Sequence, residues 1–193
     1  MKHRGHGSRP PGAGSSSFEL IDPALLFREL ELGPTSVFLD IACGLGAYTL
    51  AAAEVVSGGG LLYAVDLWAE GIANLRSEAD SRGFANIVAM VADVGVRIPI
   101  DDGTADSALM ATVLHDLFQE GDAPGALRET VRVLKPGGIF AVVEFIKVEG
   151  PPGPPASIRL APPEVEALVF PFGFARKSHL ALGPYNYLMT FRR

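Results

Sequence analysis

Three carboxylates stand at the ends of apolar runs. Asp40 closes VFLD, Asp66 closes LLYAVD, and Asp93 follows IVAMVA. Just after Asp40 comes Ala42-Cys43-Gly44-Leu45-Gly46, whose glycines let the backbone turn sharply and approach a ligand with no Cβ in the way. Acids at the tips of buried strands beside such a turn form a pocket for a ligand rich in hydroxyl or amino donors, or carrying positive charge. Further along, Val113-Leu114-His115-Asp116 supplies an imidazole, the side chain whose ordinary pKa suits proton transfer near neutrality.

These residues need strands to carry them and helices to cover the strands. Residues 37–40 read as a short buried strand and 47–53 as a helix. Residues 61–66 and 87–91 repeat the strand pattern, and 106–114 supplies a fourth apolar segment. Pro136 stops a helix, and Gly137-Gly138 turns the chain into a fifth strand over 139–145. At the end, 174–182 and 185–191 read as two strands about a Gly183-Pro184 turn. Asp22 as N-cap and Pro23 at the first helical position open an amphipathic helix over about 22–32 with Leu25, Leu26, Phe27 and Leu30 on one face. The fold expected is α/β: a mostly parallel, seven-stranded, doubly wound sheet with helices on both faces and a C-terminal antiparallel hairpin strand.

Strand, glycine turn and helix together define a nucleotide-type pocket. A dinucleotide fingerprint requires a third glycine where this chain has Thr49. Asp40 would also repel a pyrophosphate. It suits a ligand with a cationic centre, such as a sulfonium. Asp66, twenty residues past Gly46, is placed to accept both hydroxyls of a ribose, which either nucleotide would offer.

The stretch from Asp40 to Gly46 resembles motif I of the class I S-adenosylmethionine-dependent methyltransferases, an acid-x-x-small-Gly-x-Gly pattern. Residues 106–116 are similar to that family's fourth-strand segment, with Ala105 in place of an aromatic and Asp116 in place of a second histidine. Arg132-Val133-Leu134-Lys135-Pro136-Gly137-Gly138 resembles its Arg-x-Leu-Lys-Pro-Gly-Gly turn, and the closing hairpin its seventh strand. The resemblance implies S-adenosylmethionine as cofactor, held by Asp40, Ala42, Cys43, Gly44, Gly46, Asp66, Leu67, Asp93, Val94 and Thr112. Leu67 would pack on the adenine face, Asp93 would meet the exocyclic amine, and the Val94 amide the ring. It further implies methyl transfer to a small-molecule acceptor by in-line displacement, driven mainly by positioning.

His115 is the candidate base, with Asp116 orienting it or binding substrate; a structural, capping histidine is the competing reading. His179 is a weaker candidate. Phe18 faces either substrate or core. Residues 147–163 hold six prolines and leave the ligand edge of the sheet, as spacer or pocket wall, with Glu144 and Arg159 as polar residues that could reach substrate. Two other functions stay open: a non-catalytic S-adenosylmethionine-binding protein and an NAD-dependent oxidoreductase.

Composition narrows the field. At 193 residues the chain suits one domain over 18–193 behind a flexible Gly/Ser/Pro-rich tail over 1–17. The net charge of −6, with basic residues clustered at Lys2-His3-Arg4, Arg9 and the C-terminal arginines, argues against nucleic acid. Cys43 is the sole cysteine, so no disulfide forms within the chain and a multi-thiol metalloid site is excluded. His3 and His6 do not make a metal site, no cluster has metal-ligand spacing, and metal-independent chemistry is expected. The tail lacks the apolar core of a signal peptide and no run is long enough to span a bilayer. The expectation is a cytoplasmic protein without membrane partners, monomeric or homodimeric.

Overall fold

The computed structural model describes residues 14–193. Seven strands form one sheet: β1 (Val37–Ile41), β2 (Leu61–Asp66), β3 (Ile87–Val91), β4 (Ala105–Ala111), β5 (Leu134–Phe145), β6 (Ala175–Ala181) and β7 (Asn186–Arg192), in the order β3-β2-β1-β4-β5-β7-β6. β1 to β5 are parallel, while β7 runs antiparallel between β5 and β6. The mostly parallel sheet with its antiparallel C-terminal hairpin is the architecture expected from the sequence. The strand order reverses between β1 and β4, and the crevice at the carboxyl ends of those strands is where such sheets bind ligands.

Alternation along the strands divides the core. Leu39 and Ile41 face the side covered by α4 (Leu114–Glu120), α5 (Ala123–Val133) and α6 (Pro162–Val169), through Leu117, Leu127 and Val165. Phe38, between them in sequence, faces α1 (Pro23–Glu29) and α2 (Ala47–Val55), with Leu26, Phe27 and Tyr48. α3 (Ala69–Ser81) packs Ile72 and Leu75 against Ala64 and Ala89. Phe38, Phe140 and Phe191 are fully buried, each worth roughly 2–3 kcal/mol of transfer free energy.

Two elements differ from the sequence reading. The first helix ends at Glu29, because Leu30 caps it and Glu31 adopts a left-handed φ of 55°. Its start is as expected, with Asp22 accepting from the Leu25 amide at 3.0 Å. β5 begins before its proline, at Leu134: Ala105 pairs with Leu134 and Ser107 with Ile139, so Lys135-Pro136-Gly137-Gly138 is a loop-like bulge inside the strand. Gly137 makes it possible with φ 77°. Of the tail expected over 1–17, residues 1–13 lie outside the described residues, as do His3, His6 and the Lys2-His3-Arg4 cluster; Gly14 to Ser17 are described. No described helix is long and apolar enough to cross a membrane.

Candidate cofactor and acceptor site

The glycine turn carries the chain from β1 to α2 with three left-handed residues, Ala42 at φ 58°, Gly44 at 58° and Gly46 at 77°. The glycines are needed for different reasons. A Cβ on Gly46 would fall on the Leu75 side chain, so this glycine serves helix packing. Nothing stands within 4 Å of a Cβ on Gly44, so its bare backbone faces open space where a ligand can come close.

Asp66 braces the same turn from β2. One carboxylate oxygen accepts the Gly44 amide at 2.8 Å and the other the Trp68 amide at 2.7 Å. Each oxygen keeps a lone pair for a ribose-like diol. Asp40, buried at the tip of β1, accepts the Thr49 hydroxyl at 2.6 Å. Burial raises its pKa to about 7, with the Thr49 hydrogen bond opposing and the Asp66 charge adding to the rise. Burial, helped by the same two carboxylates, pushes the Cys43 thiol up, away from the thiolate form. Asp93 accepts the Gly95 amide at 2.9 Å, an Asx turn that fixes its carboxylate after β3.

The fourth wall comes from β4. Thr112, at φ 51°, donates its amide to Val143 at 2.7 Å and places its hydroxyl 3.3 Å from that of Ser17. Ser17 also meets the Tyr48 hydroxyl at 2.7 Å, and this contact draws Gly14, Ser15 and Ser16 over the crevice.

One cavity of about 250 Å³ results. Every cofactor residue expected from the sequence lines it except Gly46, which is turned to Leu75. Among the described residues, the charged side chains on its walls are all acidic: Asp40, Asp66, Asp93, Asp116, Glu120 and Asp122. A pyrophosphate would be repelled by the strand-tip carboxylates of Asp40, Asp66 and Asp93. A sulfonium and ammonium, a diol and an exocyclic amine find matched acceptors, so the site fits S-adenosylmethionine. Thr49, Ser15 and Ser16 were not singled out from sequence as site residues. Thr49 carried a signal, a hydroxyl one turn into the helix after an acid; the Gly/Ser run carried none.

The residues expected to serve the acceptor are placed unequally. Asp116 lines the cavity, as do Ala111, Val113 and Leu117. His115 is 3 % exposed and turned behind the wall, its Nδ1 2.8 Å from Glu144 Oε2 and its Nε2 3.6 Å from Asp116 Oδ1. Burial works against a charged ring, but the hydrogen bond and charge of Glu144, with Asp116, outweigh burial and Arg159 and raise the His115 pKa. Phe18 stacks edge-on against Tyr48 at 5.1 Å and joins the α1/α2 core. Arg159 is outside the cavity: its guanidinium donates to the carbonyls of Ile146, Gly150, Pro152 and Pro154 at 2.7–2.9 Å and lies over the Phe145 ring. A buried guanidinium needs acceptors, and the proline loop supplies them by wrapping around it. No residue of that loop lines the cavity. His179 sits on β6 against Tyr187. Among the described residues, no three His, Cys, Asp or Glu side chains are grouped to hold a metal.

Fold and cavity are of the kind found in the class I, Rossmann-like S-adenosylmethionine-dependent methyltransferases. The methyltransferase domain family model matches residues 39–142, more than half of the sequence, and the chain belongs to that family. A 2-phytyl-1,4-naphtoquinone methyltransferase of Nostoc punctiforme is 30% identical over 113 residues, 58% of this chain and 48% of the relative. A demethylmenaquinone methyltransferase of Corynebacterium urealyticum is 33% identical over 118 residues, 61% and 45% of the two chains. The chain thus spans about half the length of the curated relatives it matches. A S-adenosylmethionine-dependent methyltransferase from Aquifex aeolicus superposes with a TM-score of 0.83 over 95% of this chain and 94% of its own, at 25% identity. A [4+2]-cyclase shares the fold at a TM-score of 0.74 and 19% identity, over 89% and 80%.

Proposed function

We propose that this chain transfers the methyl group of S-adenosylmethionine to a small, largely apolar acceptor, and that a quinol-type ring is the acceptor class to test first. The observation that carries the reading is the convergence of Asp40, Gly44, Asp66, Asp93 and Thr112 on one acid-walled cavity. When bound, S-adenosylmethionine supplies a methyl carbon activated by a good, neutral leaving group. The chain's contribution is then placement. Asp66 would hold the ribose hydroxyls, Leu67 would pack on the adenine face, the Val94 amide would meet the ring and Asp93 would take its amine. Asp40 would set the negative potential that favours a cation. Holding two reactants in line is worth about 7–11 kcal/mol of barrier.

Ala111, Val113 and Leu117 offer an apolar wall for an acceptor ring, with Asp116 as the polar group among them. The quinol class rests on the names of the relatives, and on the fit between an acidic O–H or ring C–H and a carboxylate. The test has two stages. Calorimetry should find micromolar binding of S-adenosylmethionine and S-adenosylhomocysteine, and none of NAD⁺. Transfer of an isotopically labelled methyl group to a water-soluble demethylated naphthoquinol should follow. Binding of NAD⁺ alone would sink the reading; binding without transfer to any acceptor would leave a cofactor-binding protein instead of an enzyme.

A further inference from the structure

We propose that Asp116, His115 and Glu144 form a proton relay from the cavity wall into the sheet, with Glu144 the positioning residue that makes His115 the proton's resting place. The relay rests on the methyl-transfer reading, because it serves an acceptor that must lose a proton.

Glu144 lies near the end of β5 and is fully buried. A buried carboxylate is costly unless paired, and its ion-pair partner among the described residues is His115. The pairing is doubled: Glu144 Oε1 accepts the His115 backbone amide at 3.1 Å, and both oxygens lie within 3.1 Å of Nδ1. With the Nδ1 proton held on Glu144, the neutral ring presents Nε2 as an acceptor, and Nε2 faces Asp116 Oδ1 at 3.6 Å. Asp116 in turn lines the cavity. Three groups therefore stand in sequence from cavity to core, on two elements, α4 and β5.

Among the described residues, the charged and titratable groups around His115 come from three elements and the proline loop. Asp116 comes from its own helix, Glu144 from β5 and Arg159 from the proline loop, while Tyr187 of β7 senses the Glu144 charge and donates its hydroxyl to the Leu160 carbonyl. Both carboxylates favour imidazolium and Arg159 opposes it.

In the step proposed, the acceptor's O–H, N–H or acidic C–H gives its proton to an Asp116 oxygen, and Asp116 hands a proton to His115 Nε2. The pair freed on the acceptor bonds the methyl carbon as the C–S bond breaks and its electrons stay on sulfur. The ring ends as imidazolium against two carboxylates and later returns the proton through Asp116 to the cavity. Glu144 orients the ring and stabilises its charge, the logic by which a buried acid serves a histidine base.

A buried His–Glu pair could instead merely cap α4, and the experiment separates the two. The four histidines of the chain allow the His115 ring to be titrated by NMR after ¹⁵N-histidine labelling. Its pKa should lie above the ordinary value of about 6.5 and fall in both E144Q and D116N. A ring indifferent to D116N would overturn the relay, and so would a folded D116N with the wild-type kcat profile, because the Asp116 charge 3.6 Å from Nε2 shifts the ring of a mere structural cap as well. In turnover, the acid limb of the kcat profile should track the ring's pKa. E144Q should move the limb to lower pH and lower the plateau on the order of 10–100-fold with cofactor affinity unchanged. E144D should recover part of that loss. An unaltered profile in folded E144Q would also overturn the proposal. If E144Q does not fold, D116N, at the cavity wall, carries both readouts. Coupled shifts of the ring without methyl transfer to any acceptor would instead sink the functional reading.

Discussion

The hydroxyl of Thr49 donates a 2.6 Å hydrogen bond to the buried carboxylate of Asp40, tying the first turns of α2 to the tip of β1. Thr49 occupies the place where a dinucleotide loop has its third glycine. What breaks one fingerprint builds the support of another.

Asp40 is ordinarily ionised above pH 4, yet here burial lifts its pKa to about 7. The folded state therefore holds this proton more tightly than the unfolded chain. The associated stability is complete below about pH 4 and is lost as pH rises to 7, on the order of 4 kcal/mol. Chemical denaturation across pH 4–8 should show that slope in the wild type and not in Asp40→Asn. Binding a cation beside Asp40 should expel about half a proton at pH 7. Calorimetry of S-adenosylmethionine in buffers of different ionisation enthalpy reads that proton directly.

Asp66→Ala should do two separable things. Removing charge-assisted acceptors of the ribose should weaken S-adenosylmethionine by about 2 kcal/mol or more. Leaving the Gly44 and Trp68 amides without their partner should lower stability by about 1–3 kcal/mol. Titration calorimetry and urea melts measure each part.

Gly46→Ala and Gly44→Ala should differ in kind. Both force an L residue into a left-handed φ, at about 1–2 kcal/mol. At position 46 the methyl also meets Leu75, adding about 1–3 kcal/mol of overpacking, so melting temperature is the sensitive readout. At position 44 the methyl enters open space, and cofactor affinity is the sensitive readout.

Arg159→Met should loosen residues 147–161 without touching the cavity. Three loop carbonyls and that of Ile146 lose a shared charged donor, and a fall of about 2–4 kcal/mol in stability with unchanged cofactor affinity is expected. Hydrogen exchange over the loop, with calorimetry alongside, checks both halves.

The strands were readable because parallel strands buried on both faces are near-continuous apolar runs, and β2 and β3 match the sequence reading at both ends. The cofactor wall was readable because its acids and glycines are fixed by strand tips. What sequence could not give was direction. His115 and Asp116 are neighbours in the chain, yet one side chain points to Glu144 and the other to the cavity, a difference set by the start of α4 and the register of β5. In the sequence Arg159 is a lone cation near the ligand edge, which invites a substrate role. Apart from that of Ile146, its carbonyl partners lie within the same loop, where no periodicity announces a fold. Gly14, Ser15 and Ser16 were unreadable for the opposite reason, since a Gly/Ser run carries no pattern until Ser17 finds Tyr48 and Thr112.

Among the described residues the charged groups lining the cavity are acidic, so in the proposed function the site acts as an electrical filter between reactant and product. S-adenosylmethionine enters with a sulfonium charge; S-adenosylhomocysteine leaves without it. The attraction that concentrates one at the mouth is switched off by the reaction itself, so turnover weakens the hold on its own by-product. Added salt should therefore erode affinity for the sulfonium far more than for the thioether, and narrow the gap between them.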